Sequence, residues 1–254
     1  MKSAVWMARL RPLTGAALVL LAWAILHGSR AVDPVLLPSP GEAFDAFWKG
    51  LSHGTLWADF WKTIVRTISA FVIALVIAVP LGIVLGASRK IYDSIEFAID
   101  FFRSTPASAL FPLFLVIFGV GEKTKIAVAA FGAGLVILFN VAYGVMGVRR
   151  QRQLAARVMG APRWRVLTDV TLLEAMPQVF VGMRSGVSLA LVIVIVAEMF
   201  IGSTDGLGQR VINAQMIFDM PEMYAAIFAA GLLGYVMNLV FIVAERRFVH
   251  WGGK

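Results

Sequence analysis

The stretch IVRTISAFVIALVIAVPLGIVLGA, residues 64–87, contains one charged residue, Arg66, in a run long enough to cross a bilayer. A transmembrane helix needs about 20 predominantly apolar residues. Comparable apolar runs occupy residues 13–26, 97–120, 126–148, 179–201 and 224–244. The sequence therefore predicts an all-α, polytopic membrane protein with about six transmembrane helices.

The composition of the whole chain indicates the same class. Of its 254 residues, 59% are hydrophobic and 15% are charged, whereas soluble domains are about half apolar and about a quarter charged. No repeat and no long linker divides the chain, so we expect one transmembrane domain, 1–254. There is no cysteine, and His27, His53 and His250 are too scattered for an H-E-x-x-H metal site. We expect this chain to bind no metal or cofactor.

The basic residues predict how the helices are oriented. With the N-terminus inside, 14 of the 23 lysines and arginines fall on the inner face and six on the outer face, so the positive-inside rule predicts that both termini are cytoplasmic. The net charge of +8 then reflects topology, and we expect no nucleic acid partner, because no basic groove with stacking aromatics is formed. The inner residues are Lys2, Arg9, Arg11, Arg89, Lys90, Arg149, Arg150, Arg152, Arg157, Arg163, Arg165, Arg246, Arg247 and Lys254.

An external amphipathic segment is predicted over residues 39–62. Ser39, Pro40 and Glu42 have the spacing of a helix cap, a first-turn proline and a capping box. Aromatic residues then recur at helical spacing. The segment is interpreted as a helix on the outer membrane surface, with a docking surface for an external partner as the alternative.

The sequence carries no nucleotide site. The nearest approach, GVGEKT at residues 119–124, lacks the glycine, lysine and hydroxyl order of a P-loop and lies in a short predicted outer loop. No catalytic constellation is present either. The chain is therefore not expected to act as an enzyme.

The longest predicted inner loop, residues 149–178, carries a tight elbow. A helix through Met159 would stop at Gly160, and a second would begin with Pro162 at its first position. Small residues, arginines and an aromatic residue suit insertion into a cleft on another protein; a basic loop that only maintains topology is the alternative. The candidate coupling residues are Leu154, Ala155, Ala156, Met159, Gly160, Ala161, Pro162, Arg163 and Trp164.

This loop resembles the cytoplasmic loop of ATP-binding-cassette importer permeases, whose signature is E-A-A-x3-G-x9-I-x-L-P. Leu154 stands where the signature has glutamate, and Leu173 where it has proline. Other motifs look like the nitrate, sulfonate, taurine and bicarbonate importer branch. The matching loop positions are Ala155, Ala156, Gly160, Val170 and Leu172, and the other motifs lie at residues 37–40, 80–82, 118–125, 159–164, 182–184, 197–199 and 206–208.

The resemblance, which extends from about Leu36 to Trp251, implies a type I importer permease in the bacterial inner membrane. It implies a second permease copy, two cytoplasmic subunits that bind the ATP, and an external solute-binding protein. It also implies import of a small, anionic solute such as nitrate, a sulfonate or taurine.

Four residues are candidates for the translocation path: Arg103, Thr105, Pro106 and Glu198. A proline can open a helix, and an intramembrane arginine indicates an anion pathway unless it is an anchor near the cytoplasmic face. Glu198 forms part of an outer gate or, alternatively, a polar link between helices.

Two other classes of function remain open from the residues. A stand-alone, ion-coupled secondary transporter or channel-like protein would use Arg103 and Glu198 in its path. A membrane scaffold would use the outer segment or the elbow as its interaction surface.

Overall fold

The computed structural model describes residues 2–249, and the side chains of residues 14–249. Every regular element in residues 2–249 is helical. A 3₁₀ turn, Ala107–Leu110, precedes α5, and a π-helical segment, Val166–Leu172, joins α8 to α9. The helices are α1 Lys2–Ser29, α2 Pro40–Ser52, α3 Thr55–Ala87, α4 Arg89–Ser104, α5 Phe111–Phe118, α6 Glu122–Met146, α7 Arg150–Val158, α8 Arg163–Arg165, α9 Leu173–Phe200, α10 Leu207–Met216 and α11 Met220–Phe248.

Four elements of the described chain are long and apolar enough to cross a membrane as continuous helices. They are α3, α6, α11 and the unbroken run Arg163–Phe200 formed by α8, the π segment and α9. The first predicted run corresponds to a shorter apolar helix, Thr14–Gly28. The apolar architecture is confirmed, whereas the count of six straight spans is not.

The third predicted span, residues 97–120, is not one continuous helix. The helix pair Arg89–Ser104 and Ala107–Phe118 is bent by 92°. Thr105 is extended and precedes Pro106, which disfavours the helical conformation before it. The Phe101 carbonyl accepts both the Thr105 amide, at 3.1 Å, and the Thr105 hydroxyl, at 2.9 Å, so helical hydrogen bonding ends at the break. The apolar run is therefore split at this point.

The centre of the bundle is formed by α3, α6 and α9, which approach closely where glycines meet larger side chains. A Cβ atom on Gly82 would lie 2.7 Å from Cβ of Val141, and one on Gly186 would lie 2.6 Å from Cγ1 of Ile137. Because these distances are too short for a real side chain, glycine is required for this close approach of α3 and α9 to α6.

A helix cap and side-chain contacts hold α1 and α2 in place at the periphery of the bundle. The capping box at the start of α2 is formed as predicted: the Ser39 amide donates to Glu42 at 2.7 Å, and the Glu42 amide donates to the Ser39 hydroxyl at 3.2 Å. Trp23 Nε1 donates to the Pro38 carbonyl at 2.9 Å, and its ring lies against Tyr224. These contacts hold α1 beside α2 and α11.

A few predictions fall outside the described part of the chain. Lys254 and the end of the resemblance at Trp251 lie beyond residue 249. Lys2, Arg9 and Arg11 belong to α1, but their side chains precede the described ones. The cytoplasmic location of the termini stays a prediction.

Candidate functional site: the elbow and the charge cluster

The elbow predicted in the inner loop is formed by α7 and α8. Helix α7 ends at Val158, and Gly160 then takes the left-handed conformation, with φ of +85°. The Gly160 amide donates to Arg157 and the Ala161 amide to Ala156, both at 3.0 Å. Glycine is the residue that enters this conformation at least cost. The elbow therefore has a sharp, locally specified turn.

The second helix of the elbow begins one residue later than predicted. Pro162 has extended backbone angles and caps α8, whose first residue is Arg163. Because proline has a fixed φ and no amide hydrogen, it suits the cap as well as the first turn. The difference leaves the direction of the elbow unchanged.

Apolar side chains project from the tip of the elbow. Val158 and Met159 are 87% and 81% exposed, and Trp164 and Leu154 are also exposed. Ala156 faces inward and is buried. The Arg165 guanidinium lies 5.4 Å from the centre of the Trp164 ring. An exposed apolar tip beside an arginine and an aromatic ring is typical of an anchor for a protein partner.

The elbow is fastened to a membrane-crossing element. Gln153 of α7 donates to the Thr171 hydroxyl at 3.2 Å, and that hydroxyl donates to the Val166 carbonyl at 3.0 Å. Arg152 also pairs with Glu174 at 3.1 Å. Because helix continues from Arg163 to Phe200, these contacts attach α7 to the element that contains α9.

At the other end of α9 lies a charge cluster, defined here as Arg66, Glu122, Lys125, Glu198 and Asp205. Arg66 is 2% exposed and donates to Glu198 at 2.7 Å, to Glu122 at 2.6 Å and to the Asp205 backbone carbonyl at 2.9 Å, and its guanidinium also contacts the Asp205 carboxylate. Glu198 is completely buried. The charge cluster therefore joins α3, α6 and α9 to the following loop.

Glu198 has further partners besides Arg66. The Thr63 hydroxyl donates to its carboxylate at 3.0 Å, and the Gly208 amide donates at 2.9 Å. A buried carboxylate is costly unless it is paired and hydrogen-bonded, and both requirements are met. Within the described structure, Glu198 is thus a polar link between helices.

The sequence at residues 119–124, which was compared with a P-loop above, contributes to this cluster. Gly119 and Gly121 have φ of +75° and +147°, and α6 begins directly after them at Glu122. Lys125 is buried and lies 2.9 Å both from Glu122 and from the Ser203 hydroxyl. The segment therefore turns the chain from α5 into α6 and supplies Glu122 to the cluster, and Lys125 directly follows it.

A second ion-pair group, near the first, joins α10 to α3 and α11. Arg210 donates to Asp59 at 2.9 Å and to the Thr55 carbonyl at 3.0 Å, and it also pairs with Glu222. Burial would lower the pKa of Arg210, but its hydrogen bonds to Asp59 and Glu222 outweigh that effect, so the pKa is raised. Arg210 is consequently a fixed positive charge.

The candidate path residues are divided between two places. Arg103, Thr105 and Pro106 line one cavity of about 340 Å³ at the bend between α4 and α5. Arg103 is half exposed, lies 3.4 Å from Asp100 and lies 5.0 Å from the centre of the Phe139 ring. Glu198 does not line this cavity. The four residues thus form no single site in this structure.

Sequence reasoning did not single out Arg66. It appeared only as one charge within an apolar run, although an isolated charge in such a run is itself a signal for a buried partner. Its acidic partners come from three other parts of the chain. Only their assembly in space identifies the cluster.

Spans, break and elbow together define a polytopic membrane protein. Residues 78–251 match the family described as "Binding-protein-dependent transport system inner membrane component", and this chain belongs to that family. It is accordingly a multi-pass protein of the inner membrane and a permease component of ABC importers.

The relatives cover nearly the whole chain. A probable ABC transporter permease protein of Brucella melitensis is 32% identical over 94% of this chain and 98% of its own length. The riboflavin transport system permease protein RibX of Chloroflexus aurantiacus is 32% identical over 92% of this chain and 87% of its own. The taurine transport system permease protein TauC of Escherichia coli is 27% identical over 94% and 88%. The resemblance to the sulfonate and taurine branch is confirmed.

A solved structure shares the fold. A chain of the MetNI methionine ABC transporter, in an inward-facing conformation, superposes with a TM-score of 0.68 and 21% sequence identity. The match covers 77% of this chain and 98% of that chain. The fold is therefore that of a type I importer permease.

Proposed function

We propose that this chain forms the translocation path of an ATP-driven importer, together with a second permease copy, two cytoplasmic ATPases and an external solute-binding protein. The observation that carries the proposal is the apolar tip of the elbow, Val158 and Met159, at the start of an element that continues to Phe200. A chain without a nucleotide motif must receive its energy from elsewhere, and an exposed apolar tip suits an ATPase cleft.

The same element provides a physical route for coupling. Force applied to the elbow acts on α8, the π segment and α9 without a break. At the outer end, Glu198 of α9 is held 2.7 Å from Arg66 of α3. Closure of the ATPases would therefore move α9 and α3 together and alternate the opening of the path between the two faces.

The solute is proposed to be small and anionic. Arg103 and Thr105 supply a positive charge and a hydroxyl beside the cavity at Pro106, which is a chemistry suited to a sulfonate or a carboxylate. TauC is a taurine permease by name and RibX a riboflavin permease. Glu198 is assigned to the outer gate of the path through its link to Arg66.

The test compares two glycines that share a left-handed conformation. Gly160 in the elbow has φ of +85°, and Gly54 before α3 has φ of +77°; a Cβ atom on either would meet no heavy atom within 4 Å. Valine at either position carries a similar backbone penalty, about 1–2 kcal/mol or more. Gly160→Val should lower co-purification of the ATPase and ATP hydrolysis by roughly tenfold, whereas Gly54→Val should leave co-purification unchanged.

The measurements are mass spectrometry of the tagged complex from its native membrane and solute uptake in proteoliposomes. Equal ATPase recovery with both variants would contradict the assignment of the elbow. Saturable uptake by the permease alone, driven by an ion gradient and unaffected by Gly160→Val, would instead indicate a secondary transporter.

A further inference from the structure

A cavity of about 810 Å³ lies beside the elbow, on the face that the positive charges assign to the cytoplasm. Four arginines from three places in the chain line it: Arg89, Arg150, Arg157 and Arg163. The remaining wall includes apolar side chains such as Met146 and Leu167. Neither the transport path at Pro106 nor the charge cluster shares a lining residue with this cavity.

The positive charge of this cavity is largely uncompensated. Arg89 pairs with Asp93 at 2.9 Å. Within residues 14–249, no carboxylate lies within 4.0 Å of Arg150, Arg157 or Arg163, and none lines the cavity. Nearby Arg152, by contrast, has Glu174 as a partner. A concave surface with several unpaired arginines concentrates positive potential and attracts an anion.

The location and the lining fit one kind of anion. Ala87 and Met146, the last residues of α3 and α6, both line the cavity, so it lies at the level where the spans leave the hydrocarbon core. Guanidinium groups bind phosphate oxygens in a bidentate manner. Basic pockets between helices on the cytoplasmic side suit phospholipid head groups, with apolar walls for the adjoining glycerol and acyl carbons.

We propose that this cavity binds the phosphate group of an anionic phospholipid from the inner leaflet. The head group lies among Arg150, Arg157 and Arg163, and the acyl chains leave along the apolar wall toward the bilayer. Because α7 supplies two of these arginines and also carries the tip residue Val158, a bound lipid supports the elbow from its membrane side. Such a lipid site does not depend on which solute is transported.

The test is a titration of the detergent-solubilised full chain with cardiolipin, and separately with phosphatidylcholine, followed by native mass spectrometry. The variant is the triple Arg150→Gln, Arg157→Gln, Arg163→Gln. A matched triple removes the same charge from inner arginines outside the cavity: Arg149→Gln, Arg165→Gln, Arg246→Gln. Circular dichroism and size-exclusion chromatography establish that both triples are folded.

The expected result is preferential retention of cardiolipin that depends on the cavity arginines. Each arginine near an anionic lipid surface strengthens binding about fivefold, so the cavity triple should bind cardiolipin roughly 100-fold more weakly. The matched triple should stay within about fivefold of the unmodified chain. If the cavity triple does not fold, the single variant Arg157→Gln should show about a fivefold loss by itself.

Three outcomes would overturn the proposal. Equal weakening of cardiolipin binding in both triple variants would show that general surface charge causes the effect. Binding of inorganic phosphate that depends on the cavity arginines, without retention of cardiolipin, would identify a free anion as the ligand. Unchanged lipid binding, with loss of ATPase co-purification in the cavity triple alone, would assign the cavity to the protein interface.

Discussion

Nη1 of Arg66 lies 2.7 Å from Oε1 of Glu198, although the two residues are 132 positions apart in the chain. Both side chains are almost completely enclosed, so neither charge is solvated by water. Their ion pair joins α3 to α9 at the end of the bundle opposite the elbow. Because α9 is the last part of a helical run that begins at Arg163, the charge cluster and the elbow lie at opposite ends of one element.

Removal of Arg66 should be strongly destabilising. Arg66→Gln leaves Glu198 buried without its cation, which costs about 3–5 kcal/mol. We expect the apparent melting temperature in detergent to fall by roughly 10 °C. The control is Arg89→Gln, which breaks an exposed pair with Asp93 and should cost about 0–1 kcal/mol. Similar melting temperatures for the two variants would contradict the assigned role of the cluster.

Gly206 should not tolerate even a methyl group. A Cβ atom there would lie 2.5 Å from Oε1 of Glu198 and 2.6 Å from Nη1 of Arg66. Gly202 also has a positive φ, but its nearest neighbour would be Val120 at 4.0 Å. Gly206→Ala should therefore lower the melting temperature well below that of Gly202→Ala, which carries only a backbone penalty. An equal effect would show that the close approach to the ion pair is unimportant.

Close packing of α3 against α6 should depend on Gly82. In Gly82→Ala the new Cβ would lie 2.7 Å from Cβ of Val141, and overpacking of this kind costs about 1–3 kcal/mol. Val141→Ala in the same chain should recover part of that loss, because it removes Cγ1 of Val141, 2.9 Å from the new Cβ, although Cβ of Val141 remains. Gly231→Ala, in open space on α11, should be neutral or stabilising by up to about 1 kcal/mol. Thermal unfolding of the three variants checks this.

The start of α2 should become less protected in acid. The Ser39 amide and hydroxyl hydrogen bonds lower the pKa of Glu42 below its ordinary value of 4.5. A lowered pKa in the folded state means that the stabilisation is present above pH 4.5 and is lost as the pH falls through the folded pKa. Hydrogen exchange of the first turn of α2, corrected for intrinsic rates, should show this loss.

Glu42→Gln serves as the control for the acid effect, because its amide oxygen can still accept the Ser39 hydrogen bond but cannot be protonated in this range. Protection in this variant should not change with pH. If protection of the first turn of α2 fell equally with pH in the variant and the unmodified chain, another group would be the one that titrates.

Local features were predictable from the residues. The apolar runs located four continuous spans, and Gly160 and Ser39 located a turn and a cap that the structure contains. Hydropathy and backbone preference are properties of short segments, so they can be read without tertiary contacts. The break at Pro106 was anticipated as a place where a helix can open. The hydropathy pattern nevertheless predicted one span over residues 97–120, because the apolar run continues on both sides of Pro106.

The amino-acid sequence by itself determined the membrane class, the approximate spans, the elbow and the family resemblance, since each depends on composition or on fixed short spacings. Only the tertiary structure decided that Arg66 meets Glu198 and that four arginines surround one inner cavity. It also separated Arg103 from Glu198. The physical reason is that a charge in a sequence does not specify its partner. The packing of distant helices selects the partner, because a buried charge must be compensated where the folded chain places it.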